Sequence, residues 1–382
     1  MTATLPAEPP AIIAPAPRQV SFGRVAGTVG PGTARIVVSV GGRVVAEKRL
    51  HGRRFSLTLA LPPRDVTVRV TAIRGDGVRA STTVGPVFGL PPAAAPAVSL
   101  AAEDAALSRR VRGLARSFPG IAAVYVQDLR TGRGAAWNAL ARFPAASTLK
   151  LAIGVEVLRA LPGAPAARVA RLLRAMLADS DNEAANELET WLGGSTSGGS
   201  GRVNATMRAL GLLDSDMYGG YVLGTSAGPS PIPLRVEQAP AFGRGKYTTA
   251  FDLARLVRLL HLAAGGRGAL VHSLRGFSPA DARRLLYLLA HSSDRGKLDR
   301  LVGRGHSVAV LHKAGWIVAA RHDAGLVYWP GGAYVAVVLT WNPAGVGAAS
   351  DRLAGRIALA ALERFRDLLR ADPYDSSDAG TI

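Results

Sequence analysis

The sequence contains no cysteine. Disulfide bonds, a thiolate nucleophile and cysteine-ligated zinc are therefore excluded. Its seven histidines show no His-Glu-x-x-His spacing. His312, His322 and Asp323 are close in sequence and could be metal ligands, but strand residues near a site are the favoured interpretation. No metal and no other cofactor is predicted.

Long apolar runs are also absent, since no stretch reaches the ~18 residues expected of a membrane helix. No transmembrane segment is predicted. Acidic residues are scarce, with 27 Asp and Glu against 46 Lys and Arg, a formal net charge of +19. Such a charge favours anionic partners. The basic residues are scattered and not interleaved with aromatics, so anionic cell-envelope polymers are favoured over nucleic acid.

The first hundred residues divide by composition. Residues 1–18, rich in Pro and Ala, are expected to form a disordered tail without the basic region of a signal peptide. Residues 19–90 contain short β-like runs punctuated by Gly and Pro, which predicts a small, immunoglobulin-like β-sandwich. Residues 91–102 are expected to be a stiff Pro/Ala linker.

Residues 103–372 change pattern along their length, and 373–382 are expected to be a tail. The order is a helix, two strands, a long helical block, three strands and a last helix, which predicts an α+β domain with an inserted helical subdomain. The predicted segments are helix 103–117, strands 121–129 and 133–137, the helical block 147–299, strands 307–312, 325–329 and 334–341, and helix 349–370.

A Ser-x-x-Lys motif stands at the start of an almost wholly apolar helix. Such a helix is expected to be buried, and burial lowers the pKa of Lys150 toward a neutral amine that accepts a proton. Ser147 lies one helical turn earlier, within reach of that amine. The helix N-terminus also offers N–H groups to an oxyanion. The alternative is an N-cap serine followed by an exposed lysine.

Two further elements follow in the chain. Ser180-Asp181-Asn182 falls between two helical runs, where Ser180 is a candidate proton relay and Asn182 a candidate ligand for a substrate amide. A capped interhelical turn is the alternative. At the predicted end of a strand, Lys313 is a candidate for binding a substrate carboxylate, Gly315 permits a substrate backbone to approach, and the N–H of Trp316 is a second oxyanion donor beside that of Ser147.

Together, in this order, Ser147-x-x-Lys150, Ser180-Asp181-Asn182 and Lys313-Ala314-Gly315 form a recognised signature. Residues 103–372 resemble the class A β-lactamases of the β-lactamase and penicillin-binding-protein superfamily. Tyr247-Thr248-Thr249 resembles the helix start that follows the family's Ω loop. The resemblance implies a β-lactamase/transpeptidase-like fold with an antiparallel sheet, acylation of Ser147, proton transfer by Lys150 and Ser180, and substrate binding by Asn182 and Lys313.

The sequence departs from the family pattern at two places. Ala314 lacks the usual hydroxyl, and no Glu-x-x-Leu-Asn motif occurs between Asn182 and Thr248, where Glu237 is the nearest acidic candidate but Ala241 replaces the Asn.

The expected function is a serine hydrolase that β-lactams or peptide-like substrates acylate and that deacylates slowly. A true class A-type β-lactamase with another base, or a degenerate envelope-binding module, are the alternatives. An extracytoplasmic location, periplasmic or secreted, is expected, with a cytoplasmic one left open.

Overall fold

The computed structural model describes residues 8–217, 230–303 and 307–371. The chain forms two compact units, Met1–Ala95 and Pro96–Ile382. Their boundary falls inside the segment 91–102 that was expected to be a linker. That segment has more structure than expected, because Pro92–Ala94 form a 3-10 helix and Ala102 begins a strand of the second unit. The tail expected at 373–382 lies outside the described residues.

The first unit is an all-β sandwich. One sheet has the strand order β1-β3-β6 and the other β2-β8-β7-β4-β5. Apolar side chains from both sheets share one core, with Val25 and Phe55 from the first sheet and Ile36 and Val68 from the second. The strands are β1 (Ala11–Ala14), β2 (Val20–Ser21), β3 (Arg24–Thr28), β4 (Thr33–Val40), β5 (Arg43–Arg49), β6 (Arg54–Thr58), β7 (Asp65–Arg74) and β8 (Arg79–Gly89).

The expectation of a disordered tail over residues 1–18 is wrong for its second half. Strand β1 pairs with β3, and Ile12 packs against the core of the sandwich. The N–H of Arg18 also donates to the carbonyl of Pro86. The Pro and Ala residues on either side of Ile12 and Ile13 masked a four-residue strand, since an edge strand tolerates proline near its ends.

The second unit is built on a six-stranded sheet in the order β14-β15-β16-β10-β11-β9. The pairs are antiparallel except for the short parallel pair β9 and β11. Two more short strands, β12 and β13, pair with each other. The strands are β9 (Ala102–Glu103), β10 (Ile121–Asp128), β11 (Arg133–Trp137), β12 (Phe143–Pro144), β13 (Tyr247–Thr248), β14 (Ala309–Ile317), β15 (Ala320–Trp329) and β16 (Gly332–Trp341).

Helices cover this sheet, and the predicted α+β class with a helical insertion is confirmed. The terminal helices α1 and α10 pack together over a core that includes Val111, Val124 and Ile357. None of the helices in the described ranges is long and apolar enough to cross a bilayer. The helices are α1 (Ala105–Arg116), α2 (Lys150–Ala160), α3 (Ala167–Ala178), α4 (Asn182–Gly193), α5 (Thr196–Ala209), α6 (Ala250–Ala264), α7 (Ala269–His272), α8 (Pro279–Ala290), α9 (Asp299–Val302) and α10 (Ala348–Arg370).

Strand β14 is longer than predicted, and this matters for the site. The prediction ended the strand at His312, whereas the strand continues to Ile317. Lys313 to Trp316 are therefore inside the strand and not at its end. Among the described strands β14 pairs with β15 alone, so it is an edge of the sheet. The small residues Ala314 and Gly315 weaken the β-pattern, which is why the sequence understated its length.

Because each unit has its own buried core, we expect a chain that begins at Pro96 to fold without the first unit. Circular dichroism and thermal unfolding of the truncated chain would test this, with acylation of Ser147 as the functional readout. An acylation rate within about twofold of the full chain is expected. An aggregated or unreactive product would contradict the independence of the second unit.

Candidate active site

Ser147 lies in a tight turn just before helix α2. The N–H of Thr148 donates to the carbonyl of Ala145 at 3.2 Å, and that of Lys150 to the carbonyl of Ser147 at 3.2 Å. Ala146 has a φ of +47°, which is uncommon for a residue with a Cβ. The turn is further held by the N–H of Ala145, which donates to the carbonyl of Lys246 at 2.9 Å. The half-buried serine is therefore presented by a constrained turn, and the helix itself begins only at Lys150.

Lys150 is almost completely buried, with 6% of its surface exposed. Its Nζ donates to the carbonyl of Ser180 at 2.5 Å and to Oδ1 of Asn182 at 2.6 Å. Burial, together with the positive charge of Lys246, lowers the pKa of Lys150 to about 8, against a smaller opposing effect of Asp181. Two acceptors leave one of the three positions on the amine available. A neutral Lys150 has a lone pair there, one turn away from Ser147.

The three residues of the Ser180-Asp181-Asn182 loop make different contacts. Asp181 caps helix α4 by accepting from the N–H of Ala184 at 2.8 Å. Ser180 has a φ of +59°, a left-handed conformation that reverses the chain before the helix. Because Asp181 supplies the cap, the side chains of Ser180 and Asn182 are left to contact the two lysines of the site.

Lys313, on strand β14, also contacts Ser180. Its Nζ donates to Oγ of Ser180 at 2.9 Å and to the carbonyl of Ala314 at 2.8 Å, and only 1% of the residue is exposed. Burial and the positive charge of Lys150 lower the pKa of Lys313 to about 8, whereas Asp294 and Asp323 oppose the shift. The structure thus brings together Lys150, Ser180 and Lys313 as predicted from the sequence.

Gly315 lies directly against the nucleophile's backbone. A Cβ built on Gly315 would stand 2.6 Å from the N of Ser147 and 2.9 Å from the N of Thr148. No side chain fits in that space, so the residue type is dictated by the approach of β14 to the turn. Trp316 follows on the same edge strand, and its side chain is 63% exposed. The assignment of the N–H groups of Ser147 and Trp316 as oxyanion donors stays a prediction.

The two histidines near the site make structural hydrogen bonds. His312 Nδ1 contacts both carboxylate oxygens of Asp323 at 2.7 and 2.8 Å, and Asp323 also accepts from the N–H of Leu298 at 3.1 Å. His322 Nε2 donates to the carbonyl of Pro144 at 2.7 Å, and burial lowers the pKa of His322 to about 4. His322 is thus a neutral residue that ties β15 to the strand leading into the Ser147 turn.

Several charged residues of the site were missed from the sequence. Lys297 is buried and ion-paired with Asp294. Asp294 and Asp323 together offset the cluster of positive charge around Lys313. Lys246 is brought to the site because strand β13 pairs with β12, the strand that enters the nucleophile turn. A basic residue immediately before the Tyr247-Thr248-Thr249 motif was the available signal for Lys246.

The site opens into a cavity of about 350 Å³. Its lining carries four amine and amide groups, from Lys150, Lys246, Asn182 and Asn186, and none of the described lining residues is acidic. The lining consists of Ala146, Ser147, Leu149, Lys150, Ile153, Asn182, Ala185, Asn186, Met217, Lys246 and Ile317. Lys150 is therefore the candidate base among the described lining residues.

Glu237, the acidic candidate from the sequence, is exposed and does not line this cavity. Its N–H donates to Oδ1 of Asn138 at 2.6 Å, and the N–H of Gln238 donates to the same atom at 3.0 Å. Asn138 thereby anchors this segment beside the end of β11. Between Tyr218 and Lys246 the sequence has no acidic residue other than Glu237.

Solved structures share the fold of the second unit. PBP-A is 21% identical over 71% of this chain and 100% of its own, with a TM-score of 0.54. A β-lactamase from Streptosporangium roseum is 21% identical over 69% of this chain and 99% of its own, with a TM-score of 0.51. A point mutant of PBP-A, solved as an acyl-enzyme complex with penicillin G, is 21% identical over 70% of this chain and 99% of its own, with a TM-score of 0.53.

The fold and the Ser147 site define the class as a serine hydrolase of the β-lactamase and transpeptidase type. The sequence matches the family described as the β-lactamase enzyme family over residues 106–162 and 162–365, more than half of the chain. The chain belongs to that family, and the resemblance inferred from the three motifs is confirmed. A search of curated protein sequences finds no match.

The close approach of Gly315 to Ser147 generates a test. Gly315→Ala is expected to displace β14 or the nucleophile turn, because the added Cβ meets backbone atoms that cannot rotate away. A displacement of this kind is expected to slow acylation about 10²-fold, measured as the rate of labelling by a fluorescent penicillin.

Gly113→Ala is the matched control, since a Cβ at that helical position meets no atom within 4 Å. Its labelling rate should equal that of the wild type. Equal rates for Gly315→Ala and Gly113→Ala would mean that the contact between β14 and the turn does not constrain the reaction.

Proposed function

We propose that the chain is a penicillin-binding serine hydrolase, in which β-lactams or peptides of similar shape acylate Ser147 and the acyl-enzyme is hydrolysed slowly. One observation carries the proposal. Lys150, Ser180 and Lys313 form a hydrogen-bonded network beside Ser147, while the described lining of the cavity lacks a carboxylate. Acylation and deacylation need different groups, and the described lining of the cavity offers candidates for the first step only.

The acylation step follows from these positions. The Ser147 hydroxyl oxygen attacks the lactam carbonyl carbon as the neutral amine of Lys150 takes the hydroxyl proton. The N–H groups of Ser147 and Trp316 donate to the oxyanion. The carbon–nitrogen bond of the ring then breaks, and the nitrogen takes a proton from the Ser180 hydroxyl, which Lys150 replenishes. The products are a serine ester and a ring amine, with Lys150 again neutral.

Lys313 and Asn182 orient the substrate in this mechanism. An ammonium at Lys313 attracts the substrate carboxylate beside Ser180, so that the leaving nitrogen is close to the proton donor. Asn182 already accepts from Lys150 through Oδ1, which leaves its NH₂ group to donate to the amide carbonyl of the acyl side chain. The absence of a hydroxyl at Ala314 leaves Lys313 and Ser180 as the groups that hold the carboxylate.

Deacylation needs a water molecule that is deprotonated beside the ester. General-base assistance contributes roughly 10²–10⁴-fold to such a step. A true class A-type β-lactamase with a non-standard base is the second candidate function. Glu237 does not favour that candidate, because it is exposed and held at Asn138, outside the lining of the Ser147 cavity.

An extracytoplasmic location, with anionic envelope polymers as additional partners, is also part of the proposal. It is supported by the net charge of +19 and by the exposed basic residues Arg43, Lys48 and Arg49 of strand β5. Sedimentation with isolated cell-wall polymer in low and high salt tests this part, because an electrostatic association is screened by salt.

The two lysine pKa values predict a narrow bell-shaped pH dependence of acylation centred near pH 8. Below pH 8 Lys150 becomes protonated and stops acting as a base, so the rate falls as pH falls. Above pH 8 Lys313 loses its charge and its attraction for the substrate carboxylate, so the rate falls as pH rises. The second-order acylation rate of a chromogenic cephalosporin between pH 6 and 10 measures both limbs.

Two variants distinguish the low-pH limb of the acylation profile from its high-pH limb. Lys313→Arg is expected to shift the high-pH limb upward because arginine keeps its charge. Lys150→Arg is expected to abolish acylation for the same reason. A Lys150→Arg chain with near-normal acylation would rule out the general-base role of Lys150.

Slow deacylation predicts a stoichiometric burst followed by slow turnover of a chromogenic cephalosporin. Intact-protein mass spectrometry should show one covalent adduct per chain that persists after the burst, and Ser147→Ala should show neither burst nor adduct. Rapid turnover without a burst would favour the second candidate function. An adduct on Ser147→Ala would place the nucleophile elsewhere.

A further inference from the structure

We propose that the Ser147 site prefers acyl substrates whose side chain combines an apolar or aromatic group with a carboxylate. The inference rests on the proposed function and names the substrate class of that same site. It is carried by a second cavity, of about 550 Å³, which shares Ala146, Lys246 and Ile317 with the cavity at Ser147. The two cavities are therefore neighbours around the nucleophile turn.

The direction of strand β14 indicates which part of a substrate enters the second cavity. The strand runs from Lys313, at the carboxylate-binding end, past Gly315 beside Ser147, to Ile317. A substrate that pairs with this free edge has its reacting carbonyl at Gly315. Its leaving group and carboxylate lie toward Lys313, so its acyl side chain lies toward Ile317, which lines both cavities.

An apolar surface forms one part of the second cavity. Phe242 and Trp341 both line it, and their ring centroids are 6.1 Å apart with an interplanar angle of 53°. Pro144, Ala241 and Ile317 extend the apolar lining. A phenyl or similar group of a substrate side chain would bury apolar area against these rings.

Positive charge forms the other part. Arg244 and Lys246 line the second cavity, and no acidic residue is among its described lining residues. Arg244 is exposed, and no ion pair within the described ranges engages it. The charge of Lys246 extends into the reaction site, where it contributes to the lowered pKa of Lys150. An exposed guanidinium such as that of Arg244, in a cleft whose described lining has no acidic residue, attracts an anionic ligand.

The aromatic pair and the two cations lie within one cavity, so a single side chain can contact both. A carboxylate on the carbon that bears the aromatic ring brings an anionic and an aromatic group into this cavity together. A neutral aromatic side chain would use the rings alone, and a small anionic one would use the cations alone. The combined side chain uses the whole lining.

Benzylpenicillin and carbenicillin form a matched pair of probes, because carbenicillin adds one carboxylate to the carbon that bears the phenyl ring. The second-order acylation rate of each is measured, and the ratio of carbenicillin to benzylpenicillin is compared between variants. Arg244→Gln is expected to lower the ratio about 3- to 10-fold, and Arg244→Lys to retain most of it. The effect should shrink in high salt.

Arg356→Gln is the matched control, since Arg356 is an exposed residue of α10 that lines neither cavity. It removes the same charge from the chain and should leave the ratio unchanged. An unchanged ratio in Arg244→Gln would overturn the proposal. An equal fall of the ratio in Arg244→Gln and Arg356→Gln would also overturn it, because such a fall would reflect the net charge alone.

A binding measurement separates this inference from the proposed function. In a Ser147→Ala background, calorimetry is expected to show tighter binding of carbenicillin than of benzylpenicillin, and Arg244→Gln should remove the difference. If neither penicillin acylates the wild type but this difference is found, the proposed function fails and the side-chain preference stands. Acylation by both with no difference in binding or rate overturns the preference alone.

Discussion

The site depends on two buried lysines that converge on one serine. Lys150 donates to the carbonyl of Ser180 and Lys313 to its hydroxyl, so two like charges are held on either side of a single residue. Burial lowers both pKa values to about 8, with the positive charge of Lys246 adding to the shift of Lys150 and that of Lys150 adding to the shift of Lys313. Near pH 8 such a pair gives up one proton readily. One amine can then act as a base while the other still attracts an anion.

The surrounding fold holds Lys150 and Lys313 in place. Lys150 comes from a helix buried along its first nine residues, Ser180 from a loop in a left-handed conformation, and Lys313 from an edge strand. These three segments are far apart in sequence, and each is fixed by its own packing. Asp294 and Asp323 lie close enough to Lys313 to offset part of the repulsion. A site of this kind needs the rigidity of the sheet and helices.

Much of this could be predicted from the sequence, because the strands of the second unit include apolar runs such as β10 and β16 and the three motifs occur in the required order. What could not be predicted depends on partners that are distant in the chain. Strand β1 is recognisable only through its pairing with β3. The extension of β14 to Ile317 depends on β15, and the place of Lys246 depends on the pairing of β13 with β12.

The described lining of the Ser147 cavity has no carboxylate, and in the proposed mechanism this links the reactivity of Ser147 to the rate of turnover. A carboxylate beside Lys150 would stabilise the ammonium form and raise the pKa of Lys150, which would reduce the fraction of neutral base. Here Lys246 lines the cavity and shifts that pKa downward instead. In the proposed mechanism, the electrostatic environment that favours proton removal from Ser147 is therefore also the one that offers no carboxylate base for hydrolysis of the ester. The proposed preference for an anionic substrate side chain rests on the same positive charge, that of Arg244 and Lys246.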